Sequence, residues 1–189
     1  MDNRLKIINY VGKHTNESFT MHELSKLITV PYATFHRTVE TMKDLLIIHI
    51  IGKAKTISLN KDHPTLKSYL AISSEEEKIT FLRNQPIINK ISTEISTDDC
   101  VLLFGSYAKG SEHTSSDIDL LIINQKGNKT LSFSKYETLF KKNINPIFIT
   151  KSEFITMIHD KDENVGKQAL KNHVILKNPE LFWEYVLHG

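Results

Sequence analysis

Two short, wholly apolar runs, "CVLLF" at 100–104 and "LLII" at 120–123, are separated only by residues 105–119. Runs this short, bounded by turn-forming residues, read as strands of a sheet buried on both faces rather than as helices. The segment between them, "GSYAKGSEHTSSDID", places Asp117 and Asp119 at the mouth of the second strand. In a strand, side chains i and i+2 share a face, so the two carboxylates converge while Ile118 and Leu120 turn the other way. Buried together, they would cost on the order of several kcal/mol in repulsion and desolvation unless a cation sat between them. The hard cation that suits such a pair is Mg²⁺, with Mn²⁺ as a substitute, bound through one or two carboxylates plus phosphate oxygens.

The start of the segment supplies the complementary chemistry. Gly105 permits a tight turn and close approach of backbone to a ligand. Residues from Ser106 onward can form a short helix whose first amides bind phosphate, with Lys109 beside them and Gly110 ending it. Phosphate donors next to a metal-binding pair make a nucleoside triphosphate site. The alternative is a strand edge with two solvated aspartates.

"GSYAKGSEHTSSDIDLLI" is similar to the G-S-x-A-x-G…S-D-x-D-L signature of the DNA polymerase β-like nucleotidyltransferases of the small, minimal type. It matches at Gly105, Ser106, Ala108, Gly110, Ser116, Asp117, Asp119 and Leu120. The tail resembles that group too: "TKSEF" starts a helix, and "GKQALKNHVILKNPELFWEYV" looks like a helix, a short apolar link and a final aromatic helix. The resemblance covers 86–189 and implies a small mixed sheet with flanking helices. It implies that Gly105, Ser106, Lys109 and Ser116 hold the nucleotide and that Asp117 and Asp119 bind the metal and are catalytic. A nucleoside monophosphate would pass from an NTP, such as ATP, to an acceptor hydroxyl.

One part of the pattern is missing. The family carries a third carboxylate on a later strand, which here is "NINPIFIT" (143–150). Its place falls near Asn145, and no acid occurs between Glu137 and Glu153. Asparagine can offer a carbonyl oxygen to a metal but is no base at neutral pH. Three outcomes follow: slow transfer, rescue by another acid such as Glu112, which sits in a loop that could equally be solvated, or a domain that binds nucleotide without turnover. Pro146 marks this strand as an edge.

The first part of the chain reads differently. Residues 3–13 place Leu5, Ile8 and Val11 three apart, an amphipathic helix. Thr20 followed by Glu23 is a capping box, starting a second helix at about Met21. Pro31 suits the first position of a third helix, along which Phe35, Val39, Met42 and Leu46 form an apolar stripe. "LIIHII" and "KTISL" then read as a hairpin around Gly52. This order is that of a winged helix-turn-helix, and the segment, with its closing "LNKDHP", resembles the N-terminal winged helices of archaeal and bacterial regulators. In such a domain the third helix enters the major groove and the wing reaches the backbone. Tyr32, Thr34, Arg37 and Thr41 are then the DNA-contact candidates on the helix, and Lys53 and Lys55 those on the wing. A protein-binding role for the same faces is the competing reading.

Charge agrees with this division. Residues 1–68 carry ten Lys+Arg against six Asp+Glu, while the whole chain of 189 residues holds 24 against 22. Between the two parts, 69–85 reads as a helical connector in which "SSEEE" opens a helix, its acids favouring the positive end of the dipole. "PIINKISTEIST" follows, with Ile87, Ile91 and Ile95 spaced by four. "DKDENVG" at Asp160 reads as a polar connection between helices. The single cysteine, Cys100, and the lack of a signal-like N-terminus or a membrane-length apolar run suggest a soluble, cytoplasmic protein.

The expectation is thus an α+β chain: a winged helix-turn-helix at 1–68, a connector at 69–85, and a nucleotidyltransferase-like domain at 86–189. It would be a Mg-dependent nucleotidyltransferase with a DNA- or partner-binding winged helix, acting on a hydroxyl of a protein or other acceptor. The alternative is a DNA-binding transcriptional regulator whose second domain binds nucleotide without turnover.

Overall fold

A computed structural model describes residues 1–15, 17–52 and 54–189. The chain divides into two compact units, Met1–Ser73 and Ser74–Gly189.

The first unit opens with α1 (Asn3–Lys13), capped by Asp2, whose side chain accepts from the Arg4 amide. A two-residue strand β1 (Phe19–Thr20) leads into α2 (Met21–Leu27), and α3 (Tyr32–Glu40) follows. The Thr20–Glu23 capping box is formed in both directions, which fixes the start of α2 where the sequence placed it. Pro31 stands one residue earlier than expected: it is the N-cap of α3, not its first turn. Between the helices Thr29 adopts φ 57°, a left-handed conformation costly for a β-branched side chain. Strands β2 (Leu46–Ile51) and β3 (Ala54–Leu59) pair antiparallel, and β1 joins the far side of β3, giving the order β1-β3-β2. β1 escapes pattern reading because two residues show no alternation. Phe35, Val39, Met42 and Leu46 are all buried, with Ile7, Ile8 and Leu24 packed into the same unit's core.

The division between units falls inside a single helix, α4 (Leu66–Leu82). "SSEEE" does not start it, and its first turn holds no acid. Buried Leu66 and Leu70 set the true beginning: burial of an apolar face outweighs the few tenths of a kcal/mol that a dipole contact offers.

The second unit is built on a four-stranded sheet in the order β6-β5-β4-β7. Its elements are α5 (Pro86–Glu94), β4 (Cys100–Phe104), α6 (Gly105–Lys109), β5 (Ile118–Asn124), α7 (Ser134–Phe140), β6 (Ile144–Thr150), α8 (Lys151–His159), α9 (Val165–Lys171), β7 (Val174–Lys177) and α10 (Pro179–His188). β4 pairs antiparallel with β5 and β7, while β5 and β6 run parallel. The sheet is therefore mixed.

Both faces are covered. Ile118, Leu120 and Ile122 of β5 join Val101 and Leu103 of β4 under Ile88, Ile91 and Ile95 of α5 and Phe133 and Tyr136 at α7. The buried residue at the head of α5 is Ile88, with Ile87 only packed against the cluster. Phe154, Phe182 and Trp183 are fully buried among α8 and α10, and Trp183 Nε1 donates to Ser74 Oγ at 2.9 Å. Asn178, before α10, donates to the Asp99 carbonyl at 2.7 Å and so ties the last helix to the start of β4. The apolar link expected near 174 is in fact strand β7. Pro146 lies on β6 at the sheet's edge, where a missing N–H does no harm. Among the described residues, no helix is long and apolar enough to cross a membrane.

Candidate functional site

The end of β4, helix α6 and the head of β5 meet at one place. Phe104, the last residue of β4, pairs with Asp119, and Asp119 pairs on its other side with Asn145 of β6. Three strands thus carry one cross-strand row, with Asp119 in the middle. Gly105 follows with φ 71°. A Cβ there would lie 2.2 Å from Asp119 Oδ2, so the carboxylate occupies the space that any other residue would fill. The torsion demands glycine, and a side chain there would displace the Asp119 carboxylate.

Helix α6 ends on Gly110 at φ 65°. The Gly110 amide donates to Tyr107 O at 3.2 Å and the Ser111 amide to Ser106 O at 3.0 Å, the paired bonds of a Schellman closure. Tyr107 is buried in the sheet's core cluster and anchors the single turn. Ser106 is half-buried at its start, and Lys109 is exposed at its end.

The structure refines the reading of the two aspartates. Asp117 is exposed and precedes β5 by one residue, whereas Asp119 is on the strand and half-buried. The burial cost anticipated for the pair therefore does not arise. Ile118 between them is fully buried, and its amide donates to Asn143 O at 3.0 Å. That bond and the buried side chain fix the head of the strand, so the flanking positions 117 and 119 both point away from Ile118's side.

Ser116 is buried, and its hydroxyl accepts from the His113 amide at 2.9 Å while its own amide donates to His113 O. Its visible work is to close the loop before Asp117. Lys142 helps: its ammonium donates to the Thr114 carbonyl. Sequence reading passed over Lys142, since nothing in the local pattern links it to a loop 28 residues earlier.

Glu112 is half-buried and tied down rather than free in the loop. Oε1 accepts from Gln85 Nε2 at 2.7 Å, and Oε2 is shut away from solvent with no hydrogen-bond partner among the described residues. Gln85 is the residue before Pro86 at the head of α5, so Glu112 acts as a strut from the loop to that helix.

Asn145 is exposed, and its Nδ2 donates to Asp119 Oδ1 at 3.2 Å. The pair and its register put an amide beside Asp119, where a carboxylate would have met like charge. Among the described residues no group of three or more His, Cys, Asp or Glu side chains comes together. The donors at hand are two carboxylates and one amide oxygen, a set that fits a single hard divalent ion completed by phosphate oxygens.

In the first unit the candidates separate into two concavities. Thr34, Arg37 and Thr41 line one of about 620 Å³ with Arg4. Tyr32 and Lys55 line another of about 450 Å³ with His22 and His36. Tyr32 is flanked by both imidazoles, with ring centroids at 5.6 and 6.2 Å. Glu40 pairs with Lys43 at 2.5 Å, and that contact holds its carboxyl below the usual range. Lys53 lies outside the described residues.

No curated protein and no solved structure matches the chain. A family model described as polymerase beta, nucleotidyltransferase matches residues 86–180. That span begins at the head of α5, takes in the whole four-stranded sheet and ends at the start of α10. With Gly105, Asp117, Asp119 and the sheet that arranges them all inside it, the chain belongs to the polymerase beta nucleotidyltransferase family.

Proposed function

We propose that the second unit binds an NTP at the Gly105–Ser106 turn and transfers its nucleoside monophosphate to an acceptor hydroxyl, releasing pyrophosphate. The observation that carries this reading is the fit of Asp119 against Gly105, which holds a carboxylate beside the first amides of α6. Phosphates would lie on Ser106 and the neighbouring backbone, with Lys109 neutralising their charge. Asp117 and Asp119 would hold Mg²⁺, which when bound would neutralise phosphate charge. Ser116 shapes the loop that presents Asp117, and ATP is the expected donor.

Asn145 limits this chemistry. Its amide can orient a neighbouring carboxylate or hydroxyl, but it cannot accept the acceptor's proton. The same residue supports a second reading, in which the domain binds metal and nucleotide and turns over slowly or not at all. Glu112 does not replace the absent base, because one oxygen is bonded to Gln85 and the other faces no solvent.

The first unit we read as a winged helix-turn-helix, with α2 and α3 as the helix pair and β2–β3 as the wing. Its helix candidates Tyr32, Thr34, Arg37 and Thr41, with Lys55 on the wing, would contact DNA or a protein acceptor.

The test is thermal stability of the full chain with ATP, with and without Mg²⁺, followed by incubation with labelled ATP and lysate. A metal-dependent shift lost in Asp117→Ala/Asp119→Ala supports the site, and label in an acceptor that also disappears supports transfer. Labelling that survives the double variant overturns the assignment of these ligands. A shift without labelling favours the non-catalytic reading. For the first unit, DNA binding should weaken with salt, and Arg37→Ala should flatten that dependence by about one phosphate contact.

A further inference from the structure

The two sheets present four edges, and three are blunted in ways that proteins use against strand addition. β1 is two residues long. β7 has four residues, three of them buried. β6 contains Pro146. The fourth, β2, has six residues, no proline and no charged side chain. Its burial decreases along the strand, leaving Ile47, Ile50 and Ile51 at 41%, 73% and 64% exposure. The apolar side chains also lie on both faces, since Ile48 and Ile50 stand opposite Ile57 and Lys55 while Ile47 and Ile51 stand opposite Ser58 and Ala54. An open, two-sided apolar edge is a template for another strand.

The sequence of this edge says which strand. Residues 47–51 read Ile-Ile-His-Ile-Ile, the same in both directions about His49. A two-fold axis through His49 places Ile47 opposite Ile51 of a second chain and Ile48 opposite Ile50, in antiparallel pairing. Isologous contacts need such self-complementarity, with each residue meeting the counterpart that meets it in return. With His49 neutral, no like charges are brought face to face, because the strand has no Asp, Glu, Lys or Arg. His49 is turned to its own sheet, its Nε2 lying 2.9 Å from Ser58 Oγ, so the dyad position is held in one orientation before any partner arrives.

We propose that β2 is the dimer edge of this protein: two copies join β2 to β2 antiparallel about His49, forming one continuous sheet of six strands. Six residues span about 20 Å. Such a contact falls at or below the low end of the roughly 1,200–2,000 Å² that stable interfaces bury. The dimer is therefore concentration-dependent, and it requires neither nucleotide nor metal.

The register makes the test specific. Directly opposed residues in antiparallel strands have Cα atoms about 4.5–5.5 Å apart, within the roughly 4.4–6.8 Å that a disulfide spans. Only position 49 meets its own copy. Position 47 would be four residues from its copy, about 13 Å away and beyond reach. The native Cys100 is buried and does not compete.

Full-length His49→Cys should form a disulfide-linked dimer under mild oxidation, Ile47→Cys should not, and Ile47→Cys/Ile51→Cys should. Sedimentation of the unmodified chain should show reversible dimerisation, with Ile50→Lys raising the dissociation constant by about tenfold or more, since an edge lysine blocks pairing. These positions are exposed, so folding is not at issue. A chain that stays monomeric at every concentration overturns the proposal. So does a dimer in which His49→Cys and Ile47→Cys cross-link equally.

Discussion

The sheet of the second unit is covered on both faces and guarded at its edges, whereas the sheet of the first is covered in part and open along β2. In β4 every residue is buried, and in β5 all but Asp119 are. In β2 only Leu46 is. The difference decides what an unusual residue means in each place. Within a strand otherwise buried throughout, a half-buried carboxylate is unusual, so Asp119 is the residue there that needs explaining. Within an exposed strand a carboxylate would have been ordinary, and there it is the exposed isoleucines that need explaining.

The comparison can be tested by substitution. Ile122→Ala, in the doubly covered sheet, should cost about 2–5 kcal/mol of unfolding free energy in urea. Ile51→Ala, on the edge that is open in the single chain, should stay within about 0.5 kcal/mol at concentrations too low for dimerisation; a large loss there would mean that this edge is not open. Gly105→Ala should cost about 1–2 kcal/mol from its positive φ alone. The clash with Asp119 should in addition abolish the metal-dependent thermal shift with ATP, which no strain effect elsewhere would do.

The smallest effects come from capping and surface charge. Thr150→Ala should cost about 1 kcal/mol, because the hydroxyl accepts from the Glu153 amide at 3.1 Å and closes the box at the head of α8. Thr20→Ala, the equivalent change at α2, should match it if the two units use the motif alike. Glu94 is held down to about 2 by Lys90 and Lys135. Because the folded value lies below the ordinary 4.5, this contribution is complete above that pH and is lost as the pH falls from 4.5 towards about 2. Glu94→Gln should therefore flatten the acid limb of the Tm profile and leave neutral pH almost unchanged.

Much of this was legible in the residues. α1, the start of α2, and the strands β4 and β6 follow from apolar spacing, a capping box, a continuous apolar run and an edge proline, all local signals. The Gly-Ser turn and the aspartates were visible for the same reason. What escaped depends on distant partners. β1 exists only because β3 is there to pair with it, and β7 because β4 offers an edge. Helix α4 begins at Leu66 rather than at its acids because Leu66 and Leu70 are buried by tertiary packing. At the site, the strut from Gln85 to Glu112 and the tether from Lys142 to Thr114 each join residues far apart in sequence. Periodicity cannot reveal either.

Thr29 carries a consequence of another kind. Its φ of 57° in the turn between α2 and α3 puts a branched side chain where asparagine or glycine rests more easily. The Val30 amide donates to Ser25 O at 2.9 Å and the Thr29 amide to Lys26 O at 3.1 Å, so the turn requires the left-handed conformation but not the branched side chain. Thr29→Asn should relieve the misfit without touching the exposed face of α3 or the β2–β3 hairpin. Heat tolerance should therefore rise with a change at that turn while the exposed faces of α3 and of the β2–β3 hairpin stay as they are.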